Sequence, residues 1–404
     1  MAGQLQAGAS QDLDLTTKVV VLFGGVLATL GVMGILAVLP TIQAELAHGA
    51  FDAFLVKQLI GAVGLAMVIG SPIGGFLTDR YGPRRILGAS AVVYVAAGTA
   101  GLYLGELSWL VASRFVLGLA AASIEIVSLT IINTRIPPER RAKWMGIHLS
   151  VSMFSTLIIQ PLSGALGEVW WRLPFALYTL ALLILPYALG RERPGAERAA
   201  SRQAGAAIQS GRMPRGIVAL FSLLAFLIGS TMYLTMIYAP FFMRHLGIER
   251  PFVIALVLTA DSAVGAAMAM SYGWWRKRLS ARASFIISLC FAALGTAIAG
   301  LASSIAPFIA GLLIYGFGSG WLLPNLLTLL GSQVPPQHQG RAAGIVKAGN
   351  FLASPLSIVI IEPFTREFGE SSALRLATVI SVVLLAIVWS CRSIYPAAAG
   401  QAPR

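Results

Sequence analysis

Three ionisable side chains stand deep inside long apolar runs of this sequence: Arg114, Glu125 and Asp261. A charge at the centre of a bilayer costs at least about 2.5–3.5 kcal/mol, so each is a functional candidate by default. Glu125 reads as a carboxylate in an internal cavity that proton and substrate occupy in turn. A structural hydrogen bond to a neighbouring helix is the plainer alternative. Arg114 and Glu125 are eleven residues apart. Eleven helical steps return to within about 20° of the same face and advance about 16 Å, so both should point the same way while lying too far apart to pair. Arg114 would hold a negative partner or tune a carboxylate; the alternative is helix packing. Asp261, in LTADSAVG, is the second proton-site candidate, against a packing contact made with Ser262.

Around these charges, Met33, Met232, Tyr233, Met236, Trp321 and Asn325 are candidate cavity residues. Thioethers and aromatic rings suit hydrophobic ligands, and Trp or Tyr faces hold cations; plain packing is the competing reading for each. Lys347 reads as snorkelling from the inner end of its helix. Glu362 is expected at the outer end of the same helix, in water. His48, His148, His245 and His338 have no ligand spacing, so no metal site is indicated. Cys290 and Cys391 read as small packing residues. No nucleophile, base and orienting group converge in the sequence, which argues against an enzyme. GRERPG lacks the strand and helix context of a phosphate-binding loop, so neither ATP nor another cofactor is implied.

The elements that position these residues are membrane helices. The chain is 57% hydrophobic and 11% charged, against about 25% charged in soluble domains. Successive apolar runs are each long enough to cross a ~30 Å hydrocarbon core as a helix. They lack the period-two alternation of a barrel strand. Twelve spans are expected, at about 19–42, 55–78, 85–104, 108–134, 143–167, 172–190, 215–243, 252–274, 283–303, 306–332, 342–362 and 372–391. The net charge of +13 is placed, not spread: with a cytoplasmic N-terminus, 22 of the 29 Lys and Arg fall on the inner side and six outside. That is the positive-inside pattern, which puts both termini in the cytoplasm and makes the basic charge a topology signal, not a nucleic-acid surface. The first 17 residues are polar and lack a basic start, so no cleavable leader is evident.

The chain also repeats itself. IPPERRAKWMGI at 136–147 returns as VPPQHQGRAAGI at 334–345, an offset of 198, and Pro40 and Pro240 recur at nearly that offset. The expected organisation is a bundle of six spans over 1–190, a polar cytoplasmic linker over 191–214 and a second six-span bundle over 215–404. An even number of spans in each half requires an axis along the membrane normal, the parallel-repeat layout of secondary transporters.

Between the second and third spans the chain reads GFLTDRYGPRR, Gly75 to Arg85. Gly82 and Pro83 make a tight turn, and Asp79 stands among Arg80, Arg84 and Arg85, a cluster able to latch onto a neighbouring helix end. Gly75, Asp79, Arg80, Gly82, Arg84 and Arg85 resemble the signature loop of the major facilitator superfamily. The resemblance implies an all-α membrane protein of two pseudo-symmetric six-helix bundles around a central cavity, with this loop stabilising the outward-open state. Arg114 with Gly118 is similar to a fourth-helix motif that the family links to proton coupling. Pro161 and Gly164, followed by Trp171, Arg172 and Phe175, resemble the fifth-helix motif of drug:proton antiporters, with Gln160 where that group carries glycine. The implied function is proton-coupled export of a small, partly hydrophobic compound, by a monomer in lipid of a bacterial inner membrane. The alternatives are a proton-coupled uptake symporter of an organic anion or metabolite, in which Arg114 and possibly Lys347 bind the anion, and a transporter-like sensor that moves nothing.

Overall fold

The computed structural model describes residues 14–190, 213–335, 338–391 and 395. The expected linker 191–214 therefore lies outside the described residues, apart from Met213 and Pro214. The described chain is helical. α1 (Leu15–Met33), a 3-10 turn (Leu36–Val38) and α2 (Leu39–Leu46) form the first span. α3 (Ala50–Tyr81), α4 (Pro83–Gly98), α5 (Leu107–Arg135) and α6 (Pro138–Val169) follow. A 3-10 helix (Leu173–Ile184) runs into α7 (Leu185–Leu189). The rest comprises α8 (Arg215–His245), α9 (Pro251–Trp275), α10 (Ala281–Leu301), α11 (Ile305–Gln333), α12 (Gln339–Phe368) and α13 (Ser371–Ser390).

Eleven helices among the described residues are long and apolar enough to cross a membrane. The twelfth expected span is the 17-residue segment Leu173–Leu189. It would be short as an α-helix. Twelve of its residues are 3-10, and at about 2.0 Å per residue there and 1.5 Å in the α-turn, the segment reaches about 30 Å.

The first span breaks where the sequence supplies a reason. A side chain at Gly34 would meet Leu30 O at 2.6 Å and Tyr178 Oη at 2.9 Å. The Gly34 carbonyl is taken by Ser163 Oγ at 2.6 Å, which satisfies an acceptor the helix has released. Pro40 then starts α2, whereas its repeat counterpart Pro240 lies within the continuous α8.

Helices approach closely where glycines face backbone. α3 lies on α5 through Gly70 and Gly74, against Leu119, Ala122 and Ser123. On α10, a Cβ at Gly295 would come within 2.3 Å of Tyr315 N and 2.6 Å of Gly311 O on α11. Both obstacles are main chain, so neither can swing aside. In lipid, where apolar burial between helices gains little, such contact supplies the association.

Replacing Gly295 by leucine should therefore separate α10 from α11 and cost at least ~1–3 kcal/mol. Thermal unfolding of the purified protein should show a lowered midpoint for Gly295→Leu. Gly273→Leu, at a position with nothing within 4 Å, should melt like the parent; equal melting of the two variants would contradict the packing argument.

Candidate functional site

The first six spans and the last six meet along a seam at one end of the molecule, where Lys57 is buried. Lys57 Nζ lies 3.1 Å from Glu362 Oε2 and 3.3 Å from Glu370 Oε1. Tyr238 donates its hydroxyl to Glu362 Oε2 at 3.2 Å. The ammonium also sits 5.0 Å from the centre of the Tyr238 ring and 5.6 Å from that of Phe241. Arg366 binds Glu362 Oε1 at 3.5 Å and the Ala50 carbonyl at 3.0 Å. One cation on α3 thus draws together α8, α12 and the start of α13. Glu362, expected in water, is 4% exposed: its helix end is covered by α3, and Lys57 compensates the charge. Just before α13, burial holds the Glu370 carboxyl above its usual range, against the pull of Lys57. The closed arrangement therefore favours protonated Glu370. Its contribution to closure is full below the ordinary glutamate range and is lost as pH rises through the raised value.

The seam continues down the helices. Gln58 donates to the Pro355 carbonyl at 3.4 Å. Gly61 and Gly64 lie against Pro355, Phe351 and Ser354 of α12. On the other flank, Glu168 of α6 takes a two-pronged bond from Arg250, at 2.9 and 3.1 Å. Gly164 packs on Pro251, Phe252 and Ala255 of α9. Gln160 bridges further in, donating to Met33 Sδ at 3.7 Å and accepting from Thr259 at 3.4 Å and Ser262 at 3.5 Å. The fifth-helix residues Gln160, Pro161 and Gly164 thus lie on the α6 stretch that meets α9, and the non-glycine residue at 160 supplies its polar contact. Asp261 sits beside this bridge against Gly316, where a Cβ would come within 2.7 Å of its Oδ1. That oxygen is buried without a hydrogen bond.

Towards the Gly82 end, α3 leaves α12 and follows α5. Here Glu125 of α5 is 19% exposed at its side chain, and its Oε1 lies 3.5 Å from Nε2 of His148 on α6. The imidazole is fully buried, and its Nδ1 is 2.6 Å from the Val21 carbonyl of α1. Exposed Lys347, on α12 of the other half, is near enough for its charge to act on Glu125. His148, set aside in the sequence for lack of metal spacing, is the partner that Glu125 meets.

The other expected residues are distributed as follows. Arg114 does not converge with Glu125. It is fully buried between the rings of Phe175 and Tyr178, 4.6 Å from each centre, and donates to the Gly98 carbonyl at 3.2 Å. The pairing is with π faces and a helix-end carbonyl. Arg172 binds the carbonyls of Gly101 and Leu104, and Trp171 donates to Glu45. Trp321 and Asn325, expected at a cavity, are buried inside the second bundle. Trp321 donates to the Met268 carbonyl at 2.7 Å; Asn325 accepts from Ser284 at 2.7 Å and Tyr272 at 3.1 Å. Tyr233 is buried, Met33 and Met236 are half-buried, and Met232 is exposed. In the signature loop, Gly82 takes φ 89°, a left-handed value suited to glycine, and its N–H closes α3 on Thr78 O at 2.9 Å. Gly75 lies on α3, Asp79, Arg80 and Arg85 are exposed, and Arg84 reaches back over the Tyr187 ring of α7 at 4.8 Å.

A twelve-span helical chain with this loop has clear counterparts. The sequence profile of the Major Facilitator Superfamily matches residues 21–358 and, again, 220–403. The chain belongs to that superfamily and has its all-helical transporter fold. The crystal structure of a D-xylose-proton symporter superposes with a TM-score of 0.77 at 17% identity, covering 94% of this chain and 98% of that one. The inward-open conformation of the xylose transporter XylE from E. coli gives 0.75 at 17% identity, covering 95% and 97%. At these identities the likeness is one of fold. In sequence, the human solute carrier family 2 facilitated glucose transporter member 10 is 29% identical over 167 residues, 39% of this chain and 29% of that protein. The arabinose-proton symporter of Bacillus subtilis is 26% identical over 154 residues, 34% of this chain and 33% of that protein. The matches thus span about a third of the length of these relatives. The drug:proton antiporter subgroup, drawn from the fifth-helix motif, is not supported: these relatives are named as sugar transporters, and another as an inner membrane metabolite transport protein.

Removing the cation from the seam leaves buried Glu362 with Arg366 as its remaining cation, at 3.5 Å, a loss of up to about 3–5 kcal/mol. In Lys57→Met, spin labels at positions 49 and 367 should report a longer and broader distance distribution than in the parent. In the doubly apolar Lys57→Met, Glu362→Met chain, part of the closure should return. An unchanged distribution in Lys57→Met would show that the ion cluster does not hold this end shut.

Proposed function

We propose that this chain is a proton-coupled uptake symporter of a small organic anion or polar metabolite, working by alternating access of its two halves. The observation that carries this reading is Glu125, whose Oε1 lies 3.5 Å from buried His148 beyond the Lys57 seam, where the charge of exposed Lys347 of the other half also acts. While Glu125 is ionised, it competes for Lys347. A proton on Glu125 removes that competition and leaves Lys347 to hold an anionic or strongly polar group of the substrate. Proton and substrate then favour each other's binding, which is the thermodynamic requirement of symport.

The relatives support the same direction. Their names include an arabinose-proton symporter and a niacin transporter, and the superposed structures include a D-xylose-proton symporter. In this reading the Lys57 end faces the exterior and the basic Gly82 end the cytoplasm, following the positive-inside placement. The described arrangement is then the inward-facing one, sealed outside. Residues 1–190 and 215–404 rock as two bundles about the seam, in a bacterial inner membrane, and the protein works as a monomer. Asp261, whose unbonded carboxylate oxygen lies against Gly316, is a second protonatable site, and Met33 meets Gln160 in the same part of the seam. Export of a hydrophobic compound is the second reading, favoured by 28% identity over 130 residues to multidrug resistance protein 3 of Bacillus subtilis.

Purified protein in liposomes, screened with labelled monocarboxylates, pentoses and hexoses under an inward acid gradient, separates the readings. Symport predicts that substrate and protons enter together, with accumulation approaching about tenfold per pH unit for one proton per substrate, as ~1.4 kcal/mol dictates. Glu125→Gln should abolish gradient-driven accumulation while leaving exchange, and Lys347→Gln should weaken anion binding. Movement of protons against the substrate would establish export instead.

A further inference from the structure

We infer that Glu125 and His148 act as one proton-holding unit, with the Val21 main chain fixing which imidazole nitrogen carries the permanent proton. A carbonyl oxygen only accepts, so the 2.6 Å contact to Val21 O requires a hydrogen on Nδ1. In neutral imidazole that leaves Nε2 as a bare acceptor, and Nε2 faces Glu125 Oε1 at 3.5 Å. Two acceptors face each other, and a proton between them turns that opposition into a bond, whether it resides on nitrogen or on oxygen. The unit therefore exists in two states. With the bridging proton it is neutral overall; when that proton leaves to water it carries one negative charge, and Nδ1 keeps its hydrogen throughout.

The surroundings favour this division of labour. The ring is fully buried while the Glu125 side chain is 19% exposed, so the carboxylate offers the exit and the imidazole the store. His148 Nε2 is buried without a hydrogen bond, so the ring's bonding is unfinished in the absence of the extra proton. The ring reaches Val21 because α1 and α6 are close: a Cβ on Gly25 would lie 3.1 Å from His148 Cε1 and 1.7 Å from Ser152 Oγ. Ser152 Oγ itself donates to the His148 carbonyl at 2.7 Å. The charged groups acting on the ring are Glu125 and, from the opposite half, Lys347. α1 contributes the Val21 carbonyl and the bare edge of Gly25.

This inference rests on the symport reading for its purpose, but its chemistry stands apart. It makes the unit's charge, neutral or negative, the quantity that Lys347 senses. It also makes His148 a positioning and storage residue for the proton, with Glu125 as the exchanging group.

Nitrogen-15 histidine-labelled full chain in lipid nanodiscs, titrated between roughly pH 5 and 9 where imidazole exchanges its proton, tests it by NMR. Single replacement of His48, His245 and His338 assigns the remaining signal to His148 without altering it. The expected result is Nδ1 protonated at every pH, and an Nε2 titration whose midpoint moves by at least about one unit in Glu125→Gln, as expected on losing an adjacent charge. An Nε2–H tautomer at neutral pH, or a midpoint indifferent to Glu125→Gln, would overturn the shared proton. Because the readout is not transport, the two ideas fail separately. An intact unit without proton-driven flux removes the symport reading, and flux without the unit removes this one.

Discussion

The arrangement depends on one buried cation. Lys57 is 2% exposed and faces two carboxylates from the opposite half. Its worth lies less in net stability, since desolvation offsets much of the attraction in such clusters, than in the sharpness of the choice it imposes. A partly separated seam would leave an ammonium and two carboxylates short of both partners and water, so intermediate openings are penalised and closed or fully open states are favoured. Tyr238 and Phe241 line the site with ring faces that tolerate a cation. Gly61 and Gly64 allow α12 near enough for the ions to meet. Below this seam the helices change partners, and the polar centre around Glu125 lies where they do.

The two regions divide the labour between rigid and responsive chemistry. Arg114 is caged by Phe175, Tyr178 and the Gly98 carbonyl, contacts closed to solvent. Asn325 and Trp321 likewise tie α11 to its neighbours inside one bundle. Glu125, His148 and Lys347 instead combine groups that gain or lose protons with groups that belong to different halves. Charge in the first set fixes packing; in the proposed cycle, charge in the second changes.

Much of the fold was legible in the sequence because the bilayer writes it there. Backbone groups must be paired within each span, which forces long apolar runs, and the GFLTDRYGPRR loop carries a turn glycine whose left-handed φ the structure displays. The site was less legible because its partners are joined only in space. Lys57 and Glu362 are 305 residues apart, and a lysine two residues into an apolar run looks like a helix-end charge. Glu362 was placed in water for the same reason. Histidine spacing tests for metals and is blind to a single ring met by one carboxylate, so His148 passed unseen. Arg114 and Glu125 were placed on one face by helical periodicity, but periodicity fixes where a Cβ points. A long guanidinium stem can still turn towards aromatic rings. The fifth-helix motif suggests a subgroup, yet Gln160 and Gly164 are explained by the packing of α6 against α9.

The 3-10 stretch at Leu173–Ile184 sets the length of its span. Twelve residues wound as a 3-10 helix are about 6 Å longer than the same residues wound as an α-helix. A transmembrane segment normally meets a thicker or thinner bilayer by tilting or by deforming lipid, each at a cost per ångström. This one gains its reach from pitch, crossing about 30 Å with its short Leu173–Leu189 segment. Its buried residues Phe175, Tyr178, Ala181 and Ile184 recur every third residue, one continuous face of a 3-10 helix, whereas on an α-helix Phe175 and Ile184 would stand about 180° apart. Phe175 and Tyr178 are also the rings that clasp Arg114. Rewinding this stretch would carry those rings around the axis and off the guanidinium, so the reach of the span and the cage around Arg114 are set by the same winding.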